Sequence, residues 1–232
     1  MDPLSDNKIV DSWLKNALPW TSAVRENRIE SRVNVTNQAI IDAVLQRNPK
    51  TALDIGCGEG WLARALAERG VQVLGVDVVP ELIVAAQRAG GAEFRVASYE
   101  MIAAGELDTP PTDIALANFS LIGKESVDEL MCAVPRLLTP SGALIVQTLH
   151  PAIACGDAPY VDGWRRGSWA GFSEDFRDPA PWYFRTLASW QRLFVASGLR
   201  VVEMREPLHP TSQQPASVIF VCEVLGDARQ AG

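Results

Sequence analysis

Only two histidines and four cysteines occur in the 232 residues, and neither set clusters. His150 and His209 stand too far apart for a local metal motif, and Cys57, Cys132, Cys155 and Cys222 show no CxxC spacing. No metal site is therefore expected, and scattered thiols suit a reduced, cytoplasmic protein. Positive charge is scarce too: 21 Lys and Arg against 28 Asp and Glu give a net charge of −7. Such a balance argues against a nucleic-acid partner, short of a local basic patch. A long clean apolar run is also missing. The longest stretch without formal charge, 137–156, is broken by Pro140, Gly142, Gln147, His150 and Pro151, so no membrane span is expected. Asp2, Asp6, Lys8, Asp11 and Lys15 stand where a signal peptide would carry its apolar segment. What remains is ordinary for a globular chain, with 47% hydrophobic and 21% charged residues. The length suits one domain with an extension.

Residues 7–47 read as two helices broken near Leu18, Pro19 and Trp20, the second carrying Val24, Ile29, Val33, Ile40, Ile41, Val44 and Leu45 at helical spacing. After Lys50, short apolar runs alternate with helical stretches: TALDI, VQVLGV, FRV, DIALAN and GALIVQTL are the candidate strands. Uniformly apolar strands belong to a parallel sheet covered on both faces. A helix at 186–197 and strands LRVVEMRE and SVIFVCEV complete an open, doubly wound α/β sheet that ends in a hairpin-like pair. One interval breaks the rhythm. Pro151 to Trp190 holds nine of the seventeen aromatics. A connection of that length is more often functional than structureless. The expected organisation is thus a helical extension at 1–50, a core at 51–225 with an aromatic-rich lid insertion at 151–190, and a tail at 226–232.

The sharpest signal is LDIGCGEG at 53–60, between a strand and a helix. Glycines there let the backbone approach a ligand, and a helix start offers free N–H groups. A dinucleotide fingerprint would need a third glycine at 61, where Trp61 stands. Asp54 is an awkward neighbour for a pyrophosphate and a natural one for an ammonium. Asp77 closes the second strand, where a carboxylate can accept from both hydroxyls of a ribose. The loop suits a nucleoside with a positive, amino-acid-like end.

With LDIGCGEG, GVD at 75–77, VASYE at 96–100, DIALANFSLI at 113–122 and LLTPSGALIVQT at 137–148, the chain from Thr51 to Val224 resembles the class I, seven-stranded S-adenosylmethionine-dependent methyltransferases. It looks most like their small-molecule branch, of the ubiquinone- and menaquinone-biosynthesis type. The resemblance implies a mostly parallel seven-stranded sheet with an antiparallel last strand, and S-adenosyl-L-methionine as cofactor. It places Asp54, Gly56, Cys57, Gly58 and Gly60 at the methionine end, Asp77 at the ribose and Val78 beside the adenine. Ser98 and Tyr99 fall where the family usually has an acid that reads the adenine amino group. Asn118 and Phe119 lie under the sulfonium and do not form the [DN]PP[YF] element of amino-methylating nucleic-acid enzymes.

The expected acceptor is a small molecule, aromatic or anionic, methylated on O or N. Trp164, Arg165, Trp182, Tyr183 and Arg185 of the insertion, with Trp20, combine apolar walls and guanidinium forks that suit it. His150, at the carboxyl edge of the sheet, is either a general base or a structural histidine of the turn. Arg25, Arg28 and Arg32 share a helix face that is solvated or closes over the ligands. A macromolecular acceptor (RNA or protein) and a non-catalytic cofactor-binding protein remain alternatives, and the reading is compatible with a homodimer.

Overall fold

The computed structural model describes residues 2–226; of the expected tail, all but Gly226 lies outside the described residues. Helix α1 (Asp6–Arg25) opens with Ser5 as N-cap, its hydroxyl accepting from Lys8 N at 3.3 Å. A π-helical turn at Arg32–Thr36 leads into α2 (Asn37–Leu45). Five strands then alternate with four helices: β1 (Thr51–Ile55), α3 (Trp61–Ala67), β2 (Gln72–Asp77), α4 (Pro80–Ala89), β3 (Glu93–Val96), α5 (Tyr99–Ala104), β4 (Thr112–Asn118), α6 (Glu125–Leu137) and β5 (Leu138–Thr148), followed by a single turn α7 (Pro151–Ala154). The insertion adds β6 (Gly163–Arg165) and β7 (Trp182–Phe184), and α8 (Leu187–Ala196), β8 (Leu199–Arg205) and β9 (Val218–Val224) close the chain.

The seven-stranded sheet runs β3-β2-β1-β4-β5-β9-β8, parallel as far as β5, with β9 antiparallel to both of its neighbours. Apolar strands make this possible because alternate residues feed two cores. Leu53 and Ile55 pack with Leu130, Val134 and Phe194 on one face, while Ala52, Ile114 and Ile145 pack with Ile41, Leu62 and Ile83 on the other. The order reverses between β1 and β4, and the carboxyl ends of those strands flank the crevice where open sheets bind ligands.

Two expectations for the N-terminal region fail. Helix α1 runs through Leu18, Pro19 and Trp20 without a break, and Val24 belongs to it rather than to the next helix. The chain turns instead at Asn27, which takes the left-handed conformation (φ 55°) as Arg28 N closes on Ala23 O. Arg25, Arg28 and Arg32 consequently share no helix face: Arg25 ends α1, Arg28 lies beyond it and Arg32 sits in the π turn.

Candidate cofactor and acceptor site

At the end of β1 the chain turns on its glycines. Gly56 N and Cys57 N both donate to Val76 O, at 2.8 and 2.9 Å, tying the turn to β2. Gly56 takes φ +75°, and a Cβ there would collide with Ser120, whose hydroxyl donates to Ile55 O at 2.7 Å. Gly60, at φ +82°, leaves room for the Phe94 ring. Gly58 N donates to one oxygen of Asp77 and Val79 N to the other, each at 2.9 Å. Two N–H donors fix the carboxylate and leave each oxygen a further lone pair. Burial still outweighs those donors and holds the Asp77 carboxyl above its usual range.

Of these groups, Gly56, Gly58, Asp77, Val79 and Ser120 bound a cavity of about 490 Å³ that also takes in Val78, Ser98, Tyr99, Asn118 and Phe119. Ser98 caps α5, accepting from Met101 N at 3.2 Å, so its oxygen is partly spoken for. The Tyr99 hydroxyl donates to Ser120 O at 3.0 Å, and burial pushes its pKa up. Asn118 accepts from Gln147 Nε2 at 3.0 Å, and Phe119 has φ 55°. Neither Cys57 nor Gly60 is a wall of the cavity: Cys57 packs into the core against Ile83 and Phe94, and Gly60 faces Phe94 and Ala86, so both shape the turn.

Beneath the turn, Asp54 is 1% exposed and its Oδ2 has no hydrogen-bond partner among the described residues. Burial, reinforced by Asp77 and opposed by Arg32, raises its pKa to about 7. Arg32 lines the cavity with its guanidinium between the rings of Trp20 and Trp61, at 5.4 and 5.0 Å, and burial lowers its pKa to about 10 against the pull of Glu59 and Asp54. Arg32 is a wall of the cavity and Asp54 lies just behind the walls, an incompletely paired guanidinium and an incompletely paired carboxylate of opposite charge.

A family model described as a methyltransferase domain matches residues 29–204. The chain belongs to that family. It is a class I S-adenosylmethionine-dependent methyltransferase. An uncharacterized methyltransferase of Mycobacterium bovis is 32% identical over 143 residues, covering 56% of this chain and 72% of the relative. A ubiquinone biosynthesis O-methyltransferase of Xanthomonas oryzae is 29% identical over 162 residues, 66% of this chain and 67% of the relative. The fold matches the crystal structure of Burkholderia thailandensis 1,6-didemethyltoxoflavin-N1-methyltransferase, solved with 1,6-didemethyltoxoflavin and S-adenosylhomocysteine, at a TM-score of 0.61, 19% identity and 91% and 88% coverage.

The rest of the methyltransferase's cavity is roofed by α1 and the insertion. Trp20, Trp182, Tyr183 and Arg185 line it as expected from the sequence, whereas Trp164, Arg165 and His150 do not. Trp164 packs edge-on against Tyr183 at 5.7 Å, and Arg165 lies over Phe184 and donates to Pro159 O at 2.7 Å. Arg185 is 4% exposed with its fork engaged: it donates to Gly123 O at 2.7 Å, Lys124 O at 3.2 Å and Asp128 Oδ1 at 2.9 Å. Anion capture by Arg165 and Arg185 is therefore corrected. The first is outside the cavity and the second organises the β4–α6 loop, to which Tyr183 N also donates at 2.8 Å through Ile122 O. His150 is corrected as well. It sits at the N-cap of α7 without a side-chain cap hydrogen bond, and its Nε2 meets Glu206 Oε1 at 2.7 Å, which ties the strand-to-insertion turn to the segment after β8.

Several lining residues escaped the sequence reading. Trp13 meets Trp20 at 5.0 Å and Trp169 at 5.8 Å, each edge to face. Its position seven residues before Trp20, two turns along one helix face, was the available signal. Asp6 accepts from Lys124 N at 2.8 Å and Ser126 N at 2.6 Å, capping α6 from a distant part of the chain, and no local pattern announces it. Glu59, 1% exposed, is held by Arg25 at 2.8 Å and Arg64 at 2.7 Å, which fastens the end of α1 to the glycine turn. Among the described residues, no helix is long and apolar enough to cross a membrane, and no group of three His, Cys, Asp or Glu could hold a metal.

Proposed function

We propose that this methyltransferase transfers a methyl group to an oxygen or nitrogen of a small molecule held in the part of the cavity lined by Trp13, Ile122, Leu149, Trp182 and Tyr183. In this assignment Asp77 accepts from the ribose hydroxyls, and Val78, Ser98 and Tyr99 face the adenine. Arg32 takes the carboxylate and Asp54 the ammonium of the methionine end. Gly56, Gly58 and Gly60 keep the backbone close, and Asn118 and Phe119 underlie the sulfur. Residues 2–50 and 151–190 serve as the cover of a cofactor-binding core. When bound, S-adenosylmethionine supplies a methyl carbon already activated by a sulfonium.

What the chain contributes is alignment and exclusion of water, the terms an in-line displacement needs most. Among the described residues that line the cavity there is no histidine, cysteine or lysine. An acceptor that has to lose a proton would give it to a lining carboxylate, Asp6 or Glu100, or to water. The observation that carries the small-molecule reading is the roof: α1 and the insertion meet over the cavity through Trp13–Trp169 and Trp20–Phe172, rather than leaving an open platform. The relatives' names, one O-methyltransferase and one N1-methyltransferase, fit either acceptor atom.

The test is formation of S-adenosylhomocysteine after the protein and S-adenosylmethionine are mixed with a cell extract split by ultrafiltration. Turnover in the low-molecular-mass filtrate is expected. Turnover confined to the retained protein and RNA would overturn the proposal.

A further inference from the structure

A second cavity, of about 370 Å³, lies between residues 28–31 and 170–176 and is bounded by Arg28, Ile29, Ser31, Gly171, Phe172 and Phe176. Ile29, Ser31 and Phe172 are also walls of the main cavity, so the two spaces adjoin across those residues. Behind that partition is Trp20, whose ring centroid is 6.4 Å from that of Phe172. Its indole nitrogen lies 3.5 Å from where a Cβ on Gly58 would stand. We propose that this second cavity is the passage through which S-adenosylmethionine and S-adenosylhomocysteine enter and leave, methionine end next to the partition, with Phe172 as its gate. The inference rests on the placement of the methionine end given above.

The two sides of this seam are held very differently from the rest of the roof. No hydrogen bond among the described residues joins 28–31 to 170–176. The 170–173 turn bonds only within the insertion, through Ala170 N to Ser168, Phe172 N to Trp169 O and Ser173 to Asp175. A few residues later the insertion is fastened to α1. Asn16 both donates to Arg177 O (2.7 Å) and accepts from Arg177 N (2.9 Å), and Ser12 donates to Asp178 O at 2.5 Å. Each side of the seam has a left-handed backbone position, Asn27 at φ 55° just before 28–31 and Gly171 at φ +86° within 170–176. No hydrogen bond has to break for the partition to part, so it can open without leaving buried polar groups unpaired.

A gate changes the barrier and leaves the end states alone, so it moves both rate constants together. A ligand contact instead changes the dissociation rate and the affinity. The experiment is stopped-flow tryptophan fluorescence of S-adenosylhomocysteine binding to the full chain. Phe172→Ala is expected to raise association and dissociation rates by about tenfold each with Kd held within about threefold, and Ile29→Trp to slow both. Rates unmoved by both variants, or a shift confined to dissociation, would overturn the gate. Thermal melts check that each variant is folded. Wild-type protein supplies an independent reading, since amides at 170–173 must exchange with deuterium faster than those at 176–178, and equal protection would also overturn it. Failure of wild-type protein to bind S-adenosylhomocysteine at all would instead overturn the cofactor-site placement.

Discussion

The floor and the roof of this cavity are built by opposite means. The floor, residues 51–79, is a matter of backbone. Strand ends, left-handed glycines and main-chain N–H groups from Gly58 and Val79 fix Asp77, all within one β-α-β unit. The roof depends on side chains meeting across great sequence distances: Asn16 with Arg177, Ser12 with Asp178, and Asp6 with the start of α6. A backbone-made site needs particular residues at fixed spacing. A side-chain-made cover needs only partners that the completed fold brings together. The floor should consequently fail in binding and the roof in dynamics.

The severest break is expected at the floor. Asp77→Ala removes the acceptor aimed at the ribose and unpairs Gly58 N and Val79 N, so affinity for S-adenosylhomocysteine should fall by about 100-fold, some 2.7 kcal/mol, in calorimetric titration. A loss under about fivefold would dissociate Asp77 from the cofactor.

Asp54 sharpens the same contrast, because there the floor trades stability for binding. Its carboxyl titrates near 7 in the folded protein against an ordinary value of 3.8, so between those values the folded state keeps a proton that the unfolded chain has released. Stability therefore falls as pH rises through that window, and the loss is complete above about 7. Asp54→Asn should stabilise the protein at pH 8 by on the order of 2–4 kcal/mol and leave it unchanged at pH 4, as read from chemical denaturation. Cofactor affinity carries the opposite sign: an ammonium favours the ionised carboxylate, so the wild-type Kd should tighten from pH 6 to pH 7. That dependence should vanish in Asp54→Asn. A wild-type Kd flat across this range would detach the ammonium from Asp54.

At the roof, Asn16→Ala leaves the part-buried N–H of Arg177 without its partner and its C=O with Trp169 Nε1 alone, a cost of about 1 kcal/mol. Deuterium exchange should rise across 168–180 and stay unchanged in β1, β4 and β5, with cofactor Kd altered by less than about threefold. Exchange rising equally in the sheet would mean that Asn16 supports the whole fold and not the cover.

The same division explains what the sequence made legible. The sheet could be read because its central strands are largely apolar runs, and the glycine turn because Trp61 and Asp54 exclude a pyrophosphate. Arg32 was noticed only as one of three arginines on a supposed helix face. Its place beside Asp54 depends on the turn at Asn27, and an asparagine with positive φ is too common in loops to announce one. The substrate arginines misled because a sequence shows a guanidinium but not the carbonyls of Gly123 and Lys124 that occupy it. Asp6 and Asn16, polar residues in a helix, had no local reason to bond partners more than a hundred residues away.

The smallest effect is expected where the sequence suggested the largest. His150 stands at the carboxyl edge of the sheet, as a general base would, and loss of such a base costs about 10²- to 10⁴-fold in rate. Its imidazole instead faces Glu206, with His150 5% exposed and not a wall of the cavity. Glutamine can present an amide nitrogen to the same carboxylate. His150→Gln should therefore keep the rate of S-adenosylhomocysteine formation, measured with the active small-molecule fraction, within about twofold while lowering stability by about 1 kcal/mol. The pair of readings separates the two roles, because a residue that holds a turn is felt in the melting curve, and one that moves a proton is felt in the rate.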